Sequence, residues 1–197
     1  MPWGQHHWSH SPHRHQTQTD RAVKMRLLLL AVVLVHGLQA QEKQQPDVSK
    51  LSGTWYTSSL ASNNSALIAP GGPFRVFLNS MDVDDSSLTG HILVPTDSQC
   101  YGSSLVALKT DAEWFYLEFW GRNKLYIADV VADKFLVLYV INEQEGVTSL
   151  VAGLFARSPV AEQESLDRFE SICEDLGLGK EQIVFLEDTD RCQEFRA

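Results

Sequence analysis

Cations, cysteines and long apolar segments are all scarce in this chain of 197 residues. Lys and Arg number 16 against 25 Asp and Glu, and the formal net charge of −9 argues against nucleic acid or an anionic membrane surface as a partner. The longest apolar run, at 27–38, falls short of the roughly 20 residues that a membrane-spanning helix needs. We therefore expect no membrane insertion.

The apolar run at 27–38 has the features of a secretory signal peptide. It follows the basic residue Arg26 and closes on the small residue Ala40 before a polar stretch. From Gln41 onward, acidic residues outnumber Lys and Arg by twelve, which favours a soluble monomer or weak homodimer. Translation could start at Met1 or at Met25. We predict an unstructured upstream extension at 1–24, a signal peptide at 25–40 and one secreted, extracellular domain at 41–197.

The sequence offers little for a metal ion or another cofactor, and we predict neither. Five of the seven histidines fall within 1–24, at irregular spacing and without a cluster of cysteines or carboxylates beside them. Of the three cysteines, two can pair in an oxidising compartment, and three pairings are possible. We expect Cys100–Cys192, which ties an irregular tail to the body of the domain. Cys173 lies inside a helical pattern and would be a buried thiol.

Alternation of apolar and polar residues, broken by turn-forming sequences, runs through most of the domain. This pattern predicts an all-β fold. Eight strands joined by short turns form an antiparallel up-and-down β-barrel, whose closure removes both exposed edges of the sheet. The predicted barrel strands are 53–60, 73–83, 88–95, 99–109, 113–119, 124–131, 135–141 and 148–157, with a further short strand at 182–186.

One C-terminal α-helix is predicted to pack on the outside of the barrel. Ser158 suits the N-cap and Pro159 the first helical position. Apolar residues, among them Phe169 and Cys173, then recur at spacings of three and four, and Gly177 ends the pattern. A single apolar stripe indicates a helix with one buried face.

The alternation also predicts which side chains face the barrel interior. An eight-stranded barrel is either filled by its side chains or wide enough for one small ligand. Several of the inward residues are small, which leaves room, and Tyr139 is the one clear hydrogen-bonding group among them. It could orient a polar end of a ligand. The candidate ligand-binding residues are Phe74, Leu78, Ile92, Val94, Phe115, Leu117, Phe119, Leu125, Ile127, Val137, Tyr139, Val151, Gly153 and Phe155.

Several motifs, in order along 51–192, resemble those of the lipocalin family, and within it the odorant-binding and the salivary or epididymal carriers. Gly53-Thr54-Trp55 is similar to the Gly-x-Trp signature of the first strand, and Arg157 ends the last barrel strand, where the family carries a basic residue. The segment beginning at 72–75 is similar to the second strand of odorant-binding members. The turn at 119–123 is similar to their Tyr-x-Gly-x-Asn motif, with Phe in place of Tyr.

The resemblance implies roles for particular residues. In lipocalins the basic residue packs across the tryptophan at the closed end of the barrel, so we expect Arg157 to stack on Trp55 as a structural pair. The Cys100–Cys192 bridge is the family's usual one. The family's Thr-Asp-Tyr motif is replaced here by the residues at 132–134, which makes receptor binding through that end harder to assume and leaves any receptor unknown.

The leading functional hypothesis is a non-enzymatic carrier of a small hydrophobic molecule, such as an odorant, a pheromone or a fatty-acid-like lipid. The alternative is an extracellular protein-binding or scavenger module, motivated by outward aromatic residues at Trp114, Tyr116 and Trp120. Isomerase activity, which one lipocalin subgroup has, needs a cysteine in the cavity, and Cys173 belongs to the outer helix. Because His91 is predicted to point outward, no nucleophile–base pair is evident.

One modification site is predicted. Asn63 opens the sequence Asn63-Asn64-Ser65, an acceptor motif for N-linked glycans in the large loop after the first strand.

Overall fold

The computed structural model describes residues 48–96, 99–186 and 192. The predictions for the His-rich extension at 1–24 and the signal peptide at 25–40 lie outside these residues. Ten strands form one sheet, and they are β1 (Gly53–Thr54), β2 (Tyr56–Ser62), β3 (Phe77–Val83), β4 (Ser87–Pro95), β5 (Cys100–Lys109), β6 (Phe115–Glu118), β7 (Arg122–Val131), β8 (Phe135–Gln144), β9 (Val147–Ala156) and β10 (Ile183–Phe185). Helix α1 is Gln163–Asp175, and 3-10 helices span Val48–Leu51, Ser65–Leu67 and Lys180–Gln182.

The sheet closes on itself at Trp55. Strands β3 to β9 form an antiparallel meander, in which each strand pairs with the next. Strand β1 pairs with β3, and β2 pairs with β9, so the two ends of the meander meet on one stretch of chain that is interrupted only by Trp55. The backbone N–H of Trp55 donates to the carbonyl of Asn79, 3.1 Å away, and continues the pairing across the interruption.

The predicted eight-stranded barrel is therefore the observed fold, with two differences of detail. The first predicted strand is divided at Trp55 into β1 and β2, and the short strand β10 pairs with the outer edge of β2. The second predicted strand starts at Phe77 rather than four residues earlier, because the preceding residues belong to the loop after β2. That loop covers one end of the barrel, which we call the open end.

The hydrophobic residues form two separate clusters. One fills the barrel interior and includes Leu60, Leu117 and Leu136. The other lies outside, between the sheet and helix α1, and includes Leu154 and Phe169. As a result, strands β8 and β9 are covered on both faces, whereas the outer surface of β5 is largely exposed.

Helix α1 packs outside the barrel, as predicted, but it starts later than predicted. Its N-cap residue is Glu162, whose carbonyl accepts from the backbone N–H groups of Ser165 and Leu166. Ser158 instead forms a local turn, in which its hydroxyl donates to the carbonyl of Val160. Beyond the helix, Gly177 adopts a φ of +80°, a left-handed conformation that ends the helix at little cost for glycine.

Arg157 holds together the end of the barrel opposite the loop, which we call the closed end. Its guanidinium carbon lies 3.7 Å from the ring centre of Trp55, and the Trp55 side chain is fully buried. Nε of Arg157 donates to the carbonyl of Ala132, and the two terminal nitrogens donate to the carbonyls of Thr54 and Lys50, each at 2.9 Å. One side chain thus connects the end of β9 with the β7–β8 turn, with strand β1 and with the segment that precedes β1. The stack is the one that the family resemblance implies.

Replacing Arg157 with Ala should lower the free energy of unfolding by about 2 kcal/mol, because several carbonyl groups lose a charged donor and the indole loses its cation. Urea unfolding followed by tryptophan fluorescence measures the change. The control is Arg122→Ala, which removes an exposed ion pair with Glu143 and should change stability by less than about 0.5 kcal/mol. Equal losses in the two variants would contradict the role assigned to Arg157.

Candidate functional site

The barrel encloses a cavity of about 130 Å³. Its wall is formed by side chains from β2 to β9 and from the loop that covers the open end. The residues around it are Leu60, Phe74, Val76, Leu78, Met81, Leu88, Gly90, Ile92, Leu105, Ala107, Leu117, Phe119, Leu125, Leu138, Tyr139, Val140, Val151, Ala152, Gly153 and Phe155. Apart from Tyr139, every one of them is apolar, so the cavity is matched to an apolar occupant.

Ten of the fourteen candidate residues border this cavity, and four do not. Val94, Phe115 and Ile127 pack with the barrel interior, as their alternation predicts, but lie beyond the cavity wall. Val137 lies outside the barrel, in the cluster beneath helix α1. The ten that border the cavity are Phe74, Leu78, Ile92, Leu117, Phe119, Leu125, Tyr139, Val151, Gly153 and Phe155.

The orientation predicted for β8 is wrong. The interior cluster takes Leu136, Leu138 and Val140 from this strand, and the outer cluster takes Val137. The ring of Tyr139 also belongs to the outer cluster, where it stacks on Tyr126 from β7 at 4.8 Å between ring centres and 7° between planes. Burial, with Tyr126 adding to it, raises the pKa of Tyr139. Tyr139 therefore borders the cavity because of its position in β8, whereas its ring packs outside the barrel and its hydroxyl does not point into the cavity.

Ten residues of the cavity wall are missing from the candidate set. Gly90 and Leu88 share the inward face of β4 with Ile92, so extending the alternation along the strand would have found them. Met81 could not be found in this way, because a register shift between Leu78 and Ser80 moves it to the inward face. The ten are Leu60, Val76, Met81, Leu88, Gly90, Leu105, Ala107, Leu138, Val140 and Ala152.

Buried polar side chains of the barrel are engaged by the protein itself. The hydroxyl of Thr57 accepts from the backbone N–H of Leu78 at 2.8 Å and donates to the carbonyl of Val76. Asn123 and Asn142, both about 1% exposed, are joined by a side-chain hydrogen bond of 2.9 Å. They also donate to backbone carbonyls of the β6–β7 turn, so these amides hold the turn in place.

Two aromatic side chains lie together at the open end. Phe74, from the loop after β2, meets Phe119, from the β6–β7 turn, edge to face at 5.3 Å between ring centres. Both border the cavity, and Phe74 is 8% exposed. Gly121 fixes the turn beneath them, since it has a φ of +100° and a Cβ there would lie 2.5 Å from the carbonyl oxygen of Glu143. The pair therefore forms part of the cavity wall at this end.

Comparisons with known proteins identify the family. The model of the lipocalin / cytosolic fatty-acid binding protein family matches residues 52–190. The chain belongs to the lipocalin family.

Several known proteins align with this chain over nearly their full length. The minor allergen Can f 2 of Canis lupus familiaris is 51% identical over 176 residues, which are 86% of this chain and 98% of the allergen. Major urinary protein 17 of Mus musculus is 34% identical and covers 88% of this lipocalin and 99% of its own length. The crystal structure of the possum milk whey lipocalin trichosurin with bound 4-ethylphenol superposes with a TM-score of 0.68 at 33% identity, covering 72% of this chain and 100% of that one.

The cysteines of this lipocalin are divided between a bridge and a buried thiol. Cys100 and Cys192 form a disulfide between the start of β5 and the C-terminal tail. Cys173, in helix α1, is free and fully buried in the outer cluster between the helix and the sheet. Burial, with a smaller effect from Glu170, raises the pKa of this thiol to about 12. It is therefore neither in the cavity nor poised as a nucleophile.

One Ser–His–Asp chain occurs on the outer surface of this lipocalin. Nδ1 of His91 lies 2.9 Å from the Ser104 hydroxyl, and Nε2 lies 2.8 Å from a carboxylate oxygen of Asp82. The three residues are on the neighbouring strands β5, β4 and β3, and the Asp82 side chain is 75% exposed. An exposed carboxylate of this kind is well solvated, and the three hydrogen-bonded side chains are explained as cross-strand pairing on the solvent-exposed face of the sheet.

Across the described residues, no helix is long and apolar enough to span a membrane.

Cys173 should resist thiol reagents in the folded protein. At pH 8 the raised pKa lowers the thiolate fraction about a thousandfold relative to an ordinary cysteine, and burial also blocks access. Titration with Ellman's reagent should give no fast-reacting thiol in the native state and one thiol per chain in guanidinium. A Cys173→Ser variant, which should give none in either state, is the control. Rapid labelling of the native protein would contradict the burial of Cys173.

Proposed function

We propose that this lipocalin is a secreted, non-enzymatic carrier of one small, neutral hydrophobic molecule. The observation that supports the proposal is the apolar cavity of about 130 Å³ inside the barrel. An apolar cavity of about 150 Å³ in another protein stays dry and binds benzene, so this volume suits a molecule of about one six-membered ring. Odorant-like and pheromone-like volatiles fit such a space, whereas a long-chain fatty acid exceeds it.

A neutral ligand is favoured because nothing in the cavity wall compensates a charge. Burial of a carboxylate without a partner costs several kcal/mol. Arg157 at the closed end and Arg75 at the open end are not among the residues that border the cavity, and both guanidinium groups already donate to backbone carbonyls. Two related structures carry neutral molecules in their names, 4-ethylphenol with trichosurin and undecanal with bovine odorant-binding protein.

The alternative of a protein-binding surface has weaker support. Trp120, 56% exposed, lies in the β6–β7 turn at the open end. Trp114 precedes β6, and Nζ of Lys124 lies 5.3 Å from its ring centre. Trp114 and Tyr116 are only partly exposed, so the three rings do not make one exposed aromatic patch. We keep the monomeric carrier as the proposal.

Secretion is supported by the signal-like sequence at 25–40 and by the disulfide, which is typical of oxidising compartments.

N-glycosylation at Asn63 is part of the same proposal. The Asn63 side chain is exposed just after β2, and its amide oxygen accepts from the backbone N–H of Leu150 at 2.8 Å. A mass shift on treatment of the secreted protein with a peptide N-glycosidase, absent in Asn63→Gln, tests the glycan.

The carrier proposal is tested by calorimetric titration of residues 41–197 with two molecules of equal size, 2-heptanone and hexanoate. We expect saturable one-site binding of 2-heptanone and binding of hexanoate at least about 100-fold weaker at pH 7, because the carboxylate must be desolvated without a partner. Affinity for hexanoate should rise as the pH falls towards 4, where the acid becomes neutral. Absence of binding by the folded, disulfide-bonded protein, or equal affinity for both molecules, would contradict the proposal.

A further inference from the structure

The floor of the cavity is formed by one aromatic ring lying over one glycine. Gly153 and Phe155 are two residues apart on β9, so both face inward. A Cβ placed on Gly153 would lie 2.9 Å from Cζ and 3.0 Å from Cε2 of Phe155. Carbon atoms in van der Waals contact are about 3.5–4.0 Å apart, so the ring occupies space that any other residue at position 153 would take.

On strands β8 and β9 the ring also marks where the cavity stops. Phe155 pairs across the sheet with Leu136, which is fully buried and belongs to the interior cluster without bordering the cavity. Across the barrel, Met81, which pairs with β1, also borders the cavity. Towards the open end the space extends to Phe74 and Phe119. Along the β8–β9 wall, the length available to a ligand is therefore the distance between the Phe155 ring and this aromatic pair.

We propose that Phe155, folded over Gly153, determines the maximum length of ligand that this lipocalin binds. The inference rests on the proposed carrier function. Loss of the ring extends the cavity towards the closed end. A methyl group at position 153 displaces the ring into the cavity and shortens it. Because the Phe155 ring lies against Gly153, the effects of substitutions at these two positions on the maximum ligand length depend on each other.

The experiment is a calorimetric titration of the wild-type protein and four variants with the series of 2-alkanones from 2-pentanone to 2-tridecanone. The wild-type affinity should rise about fourfold with each added methylene until the cavity is full, and then fall. In Phe155→Ala the longest bound ketone should gain several carbons, and 2-tridecanone should bind at least about tenfold more tightly than to the wild type. In Gly153→Ala the maximum should move to shorter ketones.

The double variant Gly153→Ala/Phe155→Ala separates this account from general loosening of the barrel. Without the ring, the added methyl group has nothing to displace, so the double variant should have the length maximum of Phe155→Ala. Gly102→Ala is the matched control, since Gly102 lies on strand β5 away from the cavity wall and a Cβ there would meet nothing within 4 Å. It should keep the wild-type maximum. Circular dichroism verifies the fold, and Phe155→Leu replaces Phe155→Ala if the latter does not fold.

The outcomes distinguish the two proposals. If the wild type binds no ketone, the carrier function and this inference both fail. If the wild type binds but every variant keeps its length maximum, the carrier function stands and the role of Phe155 is refuted. A length effect of Gly153→Ala that persists in the double variant also refutes it. Movement of the maximum in opposite directions in the two single variants, with loss of the Gly153→Ala effect in the double variant, establishes it.

Discussion

Closure of the sheet at Trp55 is the constraint on which the rest of the molecule depends. Strand β1 pairs with β3 at one end of the meander, and β2 pairs with β9 at the other. Trp55, between β1 and β2, is buried under the guanidinium of Arg157. Because all strands then have neighbours around the barrel, the inward side chains meet one another instead of solvent. In this fold the apolar cavity depends on that closure, so the structural pair at the closed end is a precondition of the site.

The cavity has a cost that the covalent structure offsets. An unfilled apolar volume of 130 Å³ destabilises a protein by about 3 kcal/mol at the usual cost per unit of cavity volume. The Cys100–Cys192 bridge closes a loop of 92 residues and contributes about 4.6 kcal/mol on the chain-entropy model. The two magnitudes are similar, so a barrel with this bridge can keep an unfilled interior space.

The fold was predicted well, because the strands are visible in the local alternation of apolar and polar residues and in the turn-forming segments between them. Alternation assigned the inward face correctly where the other face is wet, as on β6, where Leu117 is buried and Glu118 is exposed. It failed on β8, whose two faces are both covered, so that Val137 and Leu136 look equally apolar. The size of the cavity was beyond prediction, since it depends on how particular side chains pack. The ring of Phe155 over Gly153 is one such contact, and the register shift before Met81 is another.

The central claim is that a neutral molecule occupies the space inside the barrel, and its location can be measured directly. Isotope-filtered nuclear Overhauser spectra of the labelled protein with unlabelled 2-heptanone report which methyl groups lie near the ligand. The account predicts contacts to Leu78, Leu117 and Val151 and none to Val137, which lies under the outer helix. Contacts confined to Val137 and its neighbours, or to exposed methyl groups, would contradict it.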